Sequence, residues 1–168
     1  MADGHAPLGI RLRPATAEDG FLLRRWLRDP ATQACSGNRA SAEAEIALAR
    51  MSETAVCRIV TCAARPIGYA QAMEVGVRAG PQPPELLPGT WETQVWMVPA
   101  RVAVLATIAR LLAAEVFATT LAVACSGLIS LRQEMMVRAY ERAGFRWRRI
   151  WHDPLFGPAW LMLKERPR

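Results

Sequence analysis

A strand that runs directly into a long helix is the feature that most constrains the fold of this chain. Residues 91–98 are rich in aromatic and β-branched side chains, which predicts a strand, and Pro99 ends it because proline has no N–H to donate. From Ala103 apolar residues recur at intervals of three and four, which predicts a helix with one wide apolar face. The turn at residues 99–103 therefore directs the free N–H groups and positive dipole end of this helix at one place. An anionic cofactor would bind there, although such phosphate sites usually contain glycine and this turn has none.

The length and composition predict one globular domain. The chain has 168 residues, enough for a substantial core, so we predict a single domain over residues 1–168. Hydrophobic residues make up 52% of the chain, which argues against disorder. No apolar run approaches the roughly 20 residues of a membrane span, and the polar N-terminus lacks the apolar core of a signal peptide. We therefore predict a cytoplasmic protein with no membrane partner.

The cysteine content and the net charge indicate which kinds of site and partner this chain can have. The four cysteines are scattered and only two histidines are present, so neither a zinc site nor a disulfide framework is predicted. The net charge of +6 has two interpretations, a surface solubilised by arginine or an anionic ligand such as a nucleotide, an acyl carrier or a nucleic acid. We favour the first, and expect no nucleic-acid partner, because no dense basic run with interleaved aromatic residues was identified.

The order of predicted elements indicates an α+β fold. A turn is predicted at Ser126–Gly127, and Thr16 with Asp19 forms an imperfect capping box before the first helix. The order predicts a twisted mixed sheet of about seven strands flanked by about four helices, with one parallel crossover at its centre. The strands through Met97 and Ala124 should be parallel neighbours that splay near Val98 and Cys125. Strands are predicted at residues 9–13, 56–61, 66–75, 91–98, 119–125, 145–151 and 159–165, and helices at residues 17–28, 42–51, 103–118 and 130–143.

Several segments resemble one enzyme superfamily. The helix end VRAYERAGF at residues 137–145 resembles the helix end of the GCN5-related N-acetyltransferases, and the element order matches from Gly9 to Glu165. The strand RPIGYAQ at residues 65–71, the helix end RRWLRDP, the long loop ending in Pro88–Gly89 and the closing GPAWLMLKER are most similar to the aminoglycoside 6′-N-acetyltransferase branch.

This resemblance implies a reaction and a site. It implies an N-acetyltransferase that uses acetyl-CoA as cosubstrate and acetylates a primary amine of a small molecule or peptide, which attacks the thioester directly. By position, Tyr140 would protonate the leaving thiolate and Glu92 would be the base. Residues 95–98 would pair with the pantetheine, and residues 101–106 would form the pyrophosphate turn. The implied cofactor-binding residues are Trp96, Met97, Val98, Arg101, Val102, Ala103, Val104, Leu105, Ala106, Gln133 and Tyr140.

Departures from the family pattern keep a second function open. Val104 replaces the first glycine of the pyrophosphate turn, and the base of the aminoglycoside branch falls on Gln94, which is not an acid. The paired tryptophans that this branch often shows after its first helix are replaced by Ala34, Cys35 and Ser36. The alternative is therefore a fold of this family that has lost catalysis and serves as a binding or interaction domain. The acceptor amine, the acyl group and the oligomeric state are left open, a homodimer included.

Each candidate residue also has a structural interpretation. Tyr140 could be a half-buried helix residue, Glu92 an exposed strand carboxylate and Gln133 a helix surface residue. His152–Asp153 as an acid/base pair and Cys125 as a nucleophile are the less favoured catalytic alternatives, because the first lies in a turn signal and the second ends a predicted buried strand.

Overall fold

The chain forms a mixed sheet with helices on both faces, as the sequence predicts. The computed structural model describes residues 9–30, 32, 39–77, 81–97, 101–154 and 157–168. The strands in these ranges are β1 (Ile10–Pro14), β2 (Val56–Cys62), β3 (Arg65–Glu74), β4 (Thr90–Met97), β5 (Ala124–Ser130), β6 (Arg146–Asp153) and β7 (Gly157–Glu165). The α-helices in these ranges are α1 (Gly20–Arg28), α2 (Arg39–Met51), α3 (Val102–Thr119) and α4 (Glu134–Arg142).

The sheet has seven strands in the order β1-β2-β3-β4-β5-β7-β6. Among the pairs formed by the described residues, β4 and β5 are parallel and the other neighbours are antiparallel. The parallel pair is joined by α3, which is the crossover that a parallel connection requires. The predicted parallel arrangement of these two central strands is therefore confirmed.

Two apolar clusters hold the helices on the sheet. Leu112 of α3 and Tyr140 of α4 belong to the larger cluster, which also includes Val95 of β4. Leu27 of α1 belongs to the smaller cluster on the opposite face, together with Trp96 of β4. Because successive strand residues point to opposite faces, β4 contributes alternate side chains to the two clusters.

Helix α3 is apolar around most of its circumference. Its 18 residues have the length and composition of a membrane span, although no unbroken apolar run in the sequence approaches that length. In this fold it is a core helix, since Leu105, Ile108, Leu112 and Val116 are at most 1% exposed. Helices buried on several sides are hydrophobic all round in soluble proteins as well, so the composition follows from the packing.

The segment after α3 is the main error of the sequence prediction. A strand was predicted at residues 119–125, but β5 begins at Ala124 and the Ser126–Gly127 pair lies inside it rather than in a turn. The apolar run at residues 119–125 predicted a buried strand, but Leu121 in this run is 95% exposed and lies in the connection between α3 and β5. This connection is fixed by Arg166, whose guanidinium donates to the carbonyl oxygens of Phe117, Thr120 and Ala122 at 2.7 Å each.

The helix termini also differ slightly from the prediction. α4 begins at Glu134 rather than Ser130, because a turn with a hydrogen bond from the Gln133 N–H to the Ser130 carbonyl comes first. Gly144 follows α4 with φ +91°, as predicted for a glycine that ends a helix. Before α1, the Thr16 N–H donates to Asp19 Oδ2 at 2.8 Å, which is one half of the predicted capping box. The guanidinium of Arg13 donates to the same carboxylate and lowers the pKa of Asp19 to about 2.

Candidate functional site

The two parallel strands separate soon after they pair. β4 and β5 are paired at Thr90–Ala124, Trp91–Cys125 and Glu92–Ser126. Beyond these pairs β4 remains bonded to β3 as far as Met97, and β5 remains bonded to β7 as far as Ser130. Their facing edges therefore carry backbone N–H and C=O groups without a strand partner, which a ligand can satisfy.

The splay is thus real but is displaced from its predicted place. It was expected near Val98 and Cys125, and it begins after Glu92 and Ser126 instead. Val98 itself lies outside the described residues. Cys125 is paired inside the sheet and is 0% exposed, and burial raises the pKa of its thiol to about 12. A thiol that stays protonated at neutral pH is a poor nucleophile, so this candidate is rejected.

A cleft of about 90 Å³ occupies the space between the separating strands. Its walls come from β4, from the second half of β5 and from the first turns of α4. No carboxylate is among the described side chains that line it. The lining residues are Thr93, Gln94, Val95, Trp96, Leu128, Ile129, Gln133, Met136 and Tyr140.

Tyr140 closes one end of this cleft. Its side chain is 2% exposed, so the half-buried alternative is wrong. Its hydroxyl lies 3.0 Å from the carbonyl oxygen of Thr93 and 3.1 Å from Thr93 Oγ1, at the first β4 residue beyond the β4–β5 pairs. Thr93 Oγ1 in turn donates to the Ser126 carbonyl at 2.9 Å. The hydroxyl of Tyr140 is therefore placed at the point where the two strands separate.

Burial determines the protonation of this hydroxyl. Desolvation raises the pKa of Tyr140 well above its ordinary value, with the hydrogen bond to Thr93 acting in the opposite direction and the charge of Glu92 raising it further. A buried phenol with a raised pKa remains protonated across the neutral range, as a general acid must. The sequence indicated Tyr140 but not Thr93, since no local pattern marks a threonine that pairs with a residue 47 positions away.

Gly127 makes room for the tyrosine ring. A Cβ atom at Gly127 would lie 2.6 Å from Cε1 and 3.0 Å from Cδ1 of Tyr140. The glycine is needed for this close approach inside β5 and not for a turn, which is why the predicted turn at Ser126–Gly127 is wrong.

Glu92 lies at the base of the splay. Its side chain is 5% exposed, so its interpretation as an exposed carboxylate is wrong. It follows the alternation of β4 and lies on the α1–α2 side, opposite the Tyr140 side. Ser126, its partner in the parallel pair, is 0% exposed, and its hydroxyl has no hydrogen-bond partner within the described part of the chain.

A chain of buried polar groups runs across β3 and β4 on the same side as Glu92. The Tyr69 hydroxyl donates to Gln71 Oε1 at 3.0 Å, and Gln71 Nε2 donates to Gln94 Oε1 at 2.6 Å and to the Glu45 carbonyl at 3.3 Å. Burial also raises the pKa of Tyr69. The chain fixes the amide of Gln94 where it borders the cleft. The glutamines at positions 71 and 94, inside two predicted strands, are the sequence signal for this chain of polar groups.

A second, larger cleft lies between the first turns of α3 and α4. It encloses about 550 Å³, and Gln133 and Met136 line both this cleft and the smaller one. The first turn of α3 contains no acidic side chain, and its backbone N–H groups have no partner within the helix. The lining residues are Val102, Leu105, Leu131, Arg132, Gln133, Glu134, Met135, Met136 and Arg138.

The residues predicted to form a pyrophosphate turn are mostly helical. Arg101 is exposed and extended, with φ −136° and ψ 132°, and α3 begins at the next residue. No residue in the 101–106 segment has a positive φ, so Val104 is not strained where the family pattern has glycine. The expected turn at residues 99–103 therefore ends earlier than predicted, and residues 98–100 lie outside the described ranges.

Comparisons with known proteins identify the fold. No family model matches the sequence, and no curated protein matches it significantly. A crystal structure of aminoglycoside acetyltransferase AAC(6')-Ib in complex with coenzyme A superimposes with a TM-score of 0.81 and 23% identity, covering 94% of this chain and 95% of that one. A structure of spermidine N-acetyltransferase from Vibrio cholerae with CoA and spermine gives a TM-score of 0.68 and 11% identity, covering 93% and 95%. The chain has the acetyltransferase fold.

A third structure extends the comparison. An aminoglycoside N(6′)-acetyltransferase from Legionella pneumophila gives a TM-score of 0.72 and 13% identity, covering 92% of this chain and 90% of that one. The predicted resemblance to the GCN5-related N-acetyltransferases and to their aminoglycoside branch is confirmed for the fold. Within the acetyltransferase fold, the structure brings Trp96, Gln133 and Tyr140 to one cleft and Val102 and Leu105 to the other.

Proposed function

We propose that this chain transfers the acetyl group of acetyl-CoA to a primary amine of a small molecule or peptide. The observation that carries the proposal is the splay of β4 and β5, which leaves both facing edges without a strand partner. The likeness to acetyltransferase structures with coenzyme A or acetyl-CoA supports it at the level of the fold. Soluble, cytoplasmic action remains the prediction of the sequence.

The cosubstrate would extend over both clefts. The free edge of β4 at Trp96 and Met97 suits the amides of a pantetheine arm, which pair with extended backbone in the way a strand does. The larger cleft suits a pyrophosphate, because the N-terminus of α3 attracts anions and Arg132 lines the same space. Arg138 also lines it but lies 3.8 Å from the carboxylate of Glu134. Gln133, which borders both clefts, would contact the junction of the two parts.

The residues at the splay suit direct acetyl transfer. A new N–C bond forms while the C–S bond breaks, and the amine loses one proton while the thiolate gains one. Tyr140 is the proposed donor of the second proton, because its hydroxyl is placed at the splay and burial keeps it protonated. Glu92 is the proposed acceptor of the first proton, and since it borders the base of the cleft rather than lining it, we expect a relay through a water or a polar neighbour.

One argument for the non-catalytic alternative is weakened. It was that Val104 would be strained in a phosphate turn, and Val104 is an unstrained residue of the first turns of α3. The other departures, Gln94 in place of an acid and the replaced tryptophan pair, remain. Helix N–H groups can bind phosphate without glycine when no side chain caps them, and Arg101 at the N-cap makes no side-chain capping bond. These observations favour the enzyme over a degenerate binding domain.

Charge reversal at Arg101 tests the cosubstrate site. We expect Arg101→Glu to raise the dissociation constant for acetyl-CoA by about tenfold or more, roughly 1.4 kcal/mol, since a carboxylate would replace a cation beside the phosphates. Isothermal titration calorimetry measures this constant directly. The control is Arg28→Glu at the exposed end of α1, which should bind as the wild type does. No acetyl-CoA binding by the wild type at millimolar concentration would contradict the proposal itself.

Aminoglycosides are expected to be poor acceptors despite the likeness to structures that contain them. A polycationic acceptor gains most from several carboxylates around its site. Residues 76–89 contain one acid, Glu85, and its carboxylate lies 3.0 Å from the guanidinium of Arg149, which already neutralises it. We expect kanamycin to be acetylated with a KM well above the micromolar range, measured by thiol release, whereas a micromolar KM would refute the prediction.

A further inference from the structure

β6 is an edge strand that is unusually open. It is the outermost strand on the β7 side of the sheet and pairs with no strand other than β7 within the described residues. None of its eight residues is buried. Its sequence, RWRRIWHD, contains neither proline nor glycine, and exposed edges of this kind are templates for pairing with another chain.

A bulge sets which side chains of β6 share a face. The register against β7 shifts between Trp147 and Arg149, so that Arg148 is an extra residue. With Arg148 set aside, alternation places Trp147, Ile150 and His152 on one face and Arg146, Arg149, Trp151 and Asp153 on the other. The strand therefore has seven regular positions, and Ile150 is the middle one.

The face that includes Ile150 has apolar area available for a partner. Trp147 is 54% exposed and Ile150 is 39% exposed. The ring of Trp147 lies edge-on to Trp160 of β7, with ring centroids 5.7 Å apart, so these side chains form one patch rather than isolated residues. Contiguous exposed apolar residues on a strand edge mark an interaction surface.

The arginines of β6 do not protect this edge from pairing. Charged residues on an edge usually prevent association. Here Arg148 pairs with Glu165 at 3.0 Å and Arg149 pairs with Glu85 at 3.0 Å, so both charges are compensated inside the chain. Arg146 at one end of the strand is matched by Asp153 at the other, an arrangement that is complementary to itself when the strand is reversed.

We propose that β6 pairs antiparallel with β6 of a second copy of this chain, about a two-fold axis at Ile150. In that register Ile150 meets its own copy, Trp147 lies opposite His152 of the partner, and Arg146 lies opposite Asp153 of the partner at both ends. The opposite edge is a weaker candidate, because β1 has five residues and ends at Pro14. The result is one continuous sheet across the dimer.

Arginine and tryptophan are interleaved along β6, so the expectation of no basic run with interleaved aromatic residues is wrong for this strand. Single-stranded nucleic acid binds to surfaces of this kind and is therefore the competing occupant. The self-complementary charges favour the second copy, since a nucleic-acid strand would meet Asp153, Glu165 and Glu85 beside the arginines. The experiment below therefore includes an oligonucleotide.

Sedimentation velocity over a concentration series tests the dimer. We expect a wild-type species with twice the mass of one chain, and at least a hundredfold weaker association for Ile150→Lys, which places two charges on the axis. Leu121→Lys, at a 95% exposed position in the connection between α3 and β5, is the matched control and should dimerise normally. Circular dichroism verifies that each variant is folded.

Charge exchange makes the test specific to the proposed register. Arg146→Asp and Asp153→Arg should each weaken the dimer about tenfold or more, and the double variant should recover it, because only this register brings the two residues together. A wild type that is monomeric at millimolar concentration would overturn the proposal. So would a dimer unaffected by Ile150→Lys, a double variant no better than the single ones, or a monomer that binds fluorescein-labelled oligothymidine and loses that binding in Arg146→Asp.

Discussion

Tyr140→Phe is expected to lower kcat by about 10²–10⁴-fold, the usual contribution of a general acid, while the dissociation constant for acetyl-CoA stays within a few-fold of the wild type. The ring and its packing on Gly127 and Phe145 are retained. Only the hydroxyl at the splay is removed. Steady-state kinetics with an accepted amine measure kcat, and calorimetry measures the binding.

The same variant has a small structural effect that must be separated from catalysis. The hydroxyl is the hydrogen-bond donor to the Thr93 carbonyl, so its removal should cost about 1 kcal/mol of unfolding free energy. Tyr69→Phe is the matched control, since it also removes a buried hydroxyl with a side-chain partner, Gln71. We expect similar losses of stability in the two variants but a large loss of kcat only in Tyr140→Phe. Full kcat in Tyr140→Phe would make Tyr140 a structural residue.

The pH profile gives an independent check on Tyr140. Burial raises its pKa above the ordinary value of 10.0, so the protonated form that donates a proton persists until pH rises above that value. The wild-type kcat should therefore show no alkaline loss that depends on Tyr140 below about pH 10. An alkaline limb near pH 8 that disappears in Tyr140→Phe would contradict the raised pKa of Tyr140.

Local sequence patterns accounted for most of the elements, and the resemblance to a known family indicated one candidate site residue, Tyr140. The periodicity of α3 and the aromatic, β-branched β4 are properties of continuous segments, and the helix end that contains Tyr140 is a short motif; each could be found without knowing the fold. The contact of Tyr140 with Thr93 could not, because it joins residues 47 positions apart on elements brought together by the sheet.

The errors have the same physical origin. An apolar run predicts burial, but the run at residues 119–125 is divided between the end of α3, an exposed connection and the start of β5, with Arg166 from the C-terminal segment capping the connection. A serine–glycine pair predicts a turn, but at Ser126–Gly127 the glycine accommodates a ring from α4. In both places the local structure depends on residues distant in sequence, Arg166 in the first and Tyr140 in the second. A pattern read within one segment does not include such residues.

Gly127→Ala is the second change with a large expected effect. The new Cβ would lie 2.6 Å from Cε1 of Tyr140. The ring has no free side to move to, because it is 2% exposed and packs against Phe145 with ring centroids 4.7 Å apart. Overpacking of this kind costs about 1–3 kcal/mol. It should also lower kcat, because the ring must shift and its hydroxyl is held by Thr93 at the splay. Chemical denaturation and steady-state kinetics measure the two effects.

The glycine at position 76 supplies a matched control, because a Cβ there meets no atom within 4 Å. Gly76→Ala should change stability by less than about 0.5 kcal/mol and leave kcat unchanged.

A double-mutant cycle tests whether the contact with the Tyr140 ring causes the loss of stability. In a Tyr140→Ala background the new Cβ has no ring to clash with, so Gly127→Ala should cost little, giving a coupling of about 1–3 kcal/mol. In a Tyr140→Phe background Gly127→Ala should cost as much as in the wild type, because the atoms that the new Cβ contacts belong to the ring and are retained. If Gly127→Ala destabilises equally in all three backgrounds, the cost comes from the strand backbone and the packing of Tyr140 on Gly127 does not position the hydroxyl.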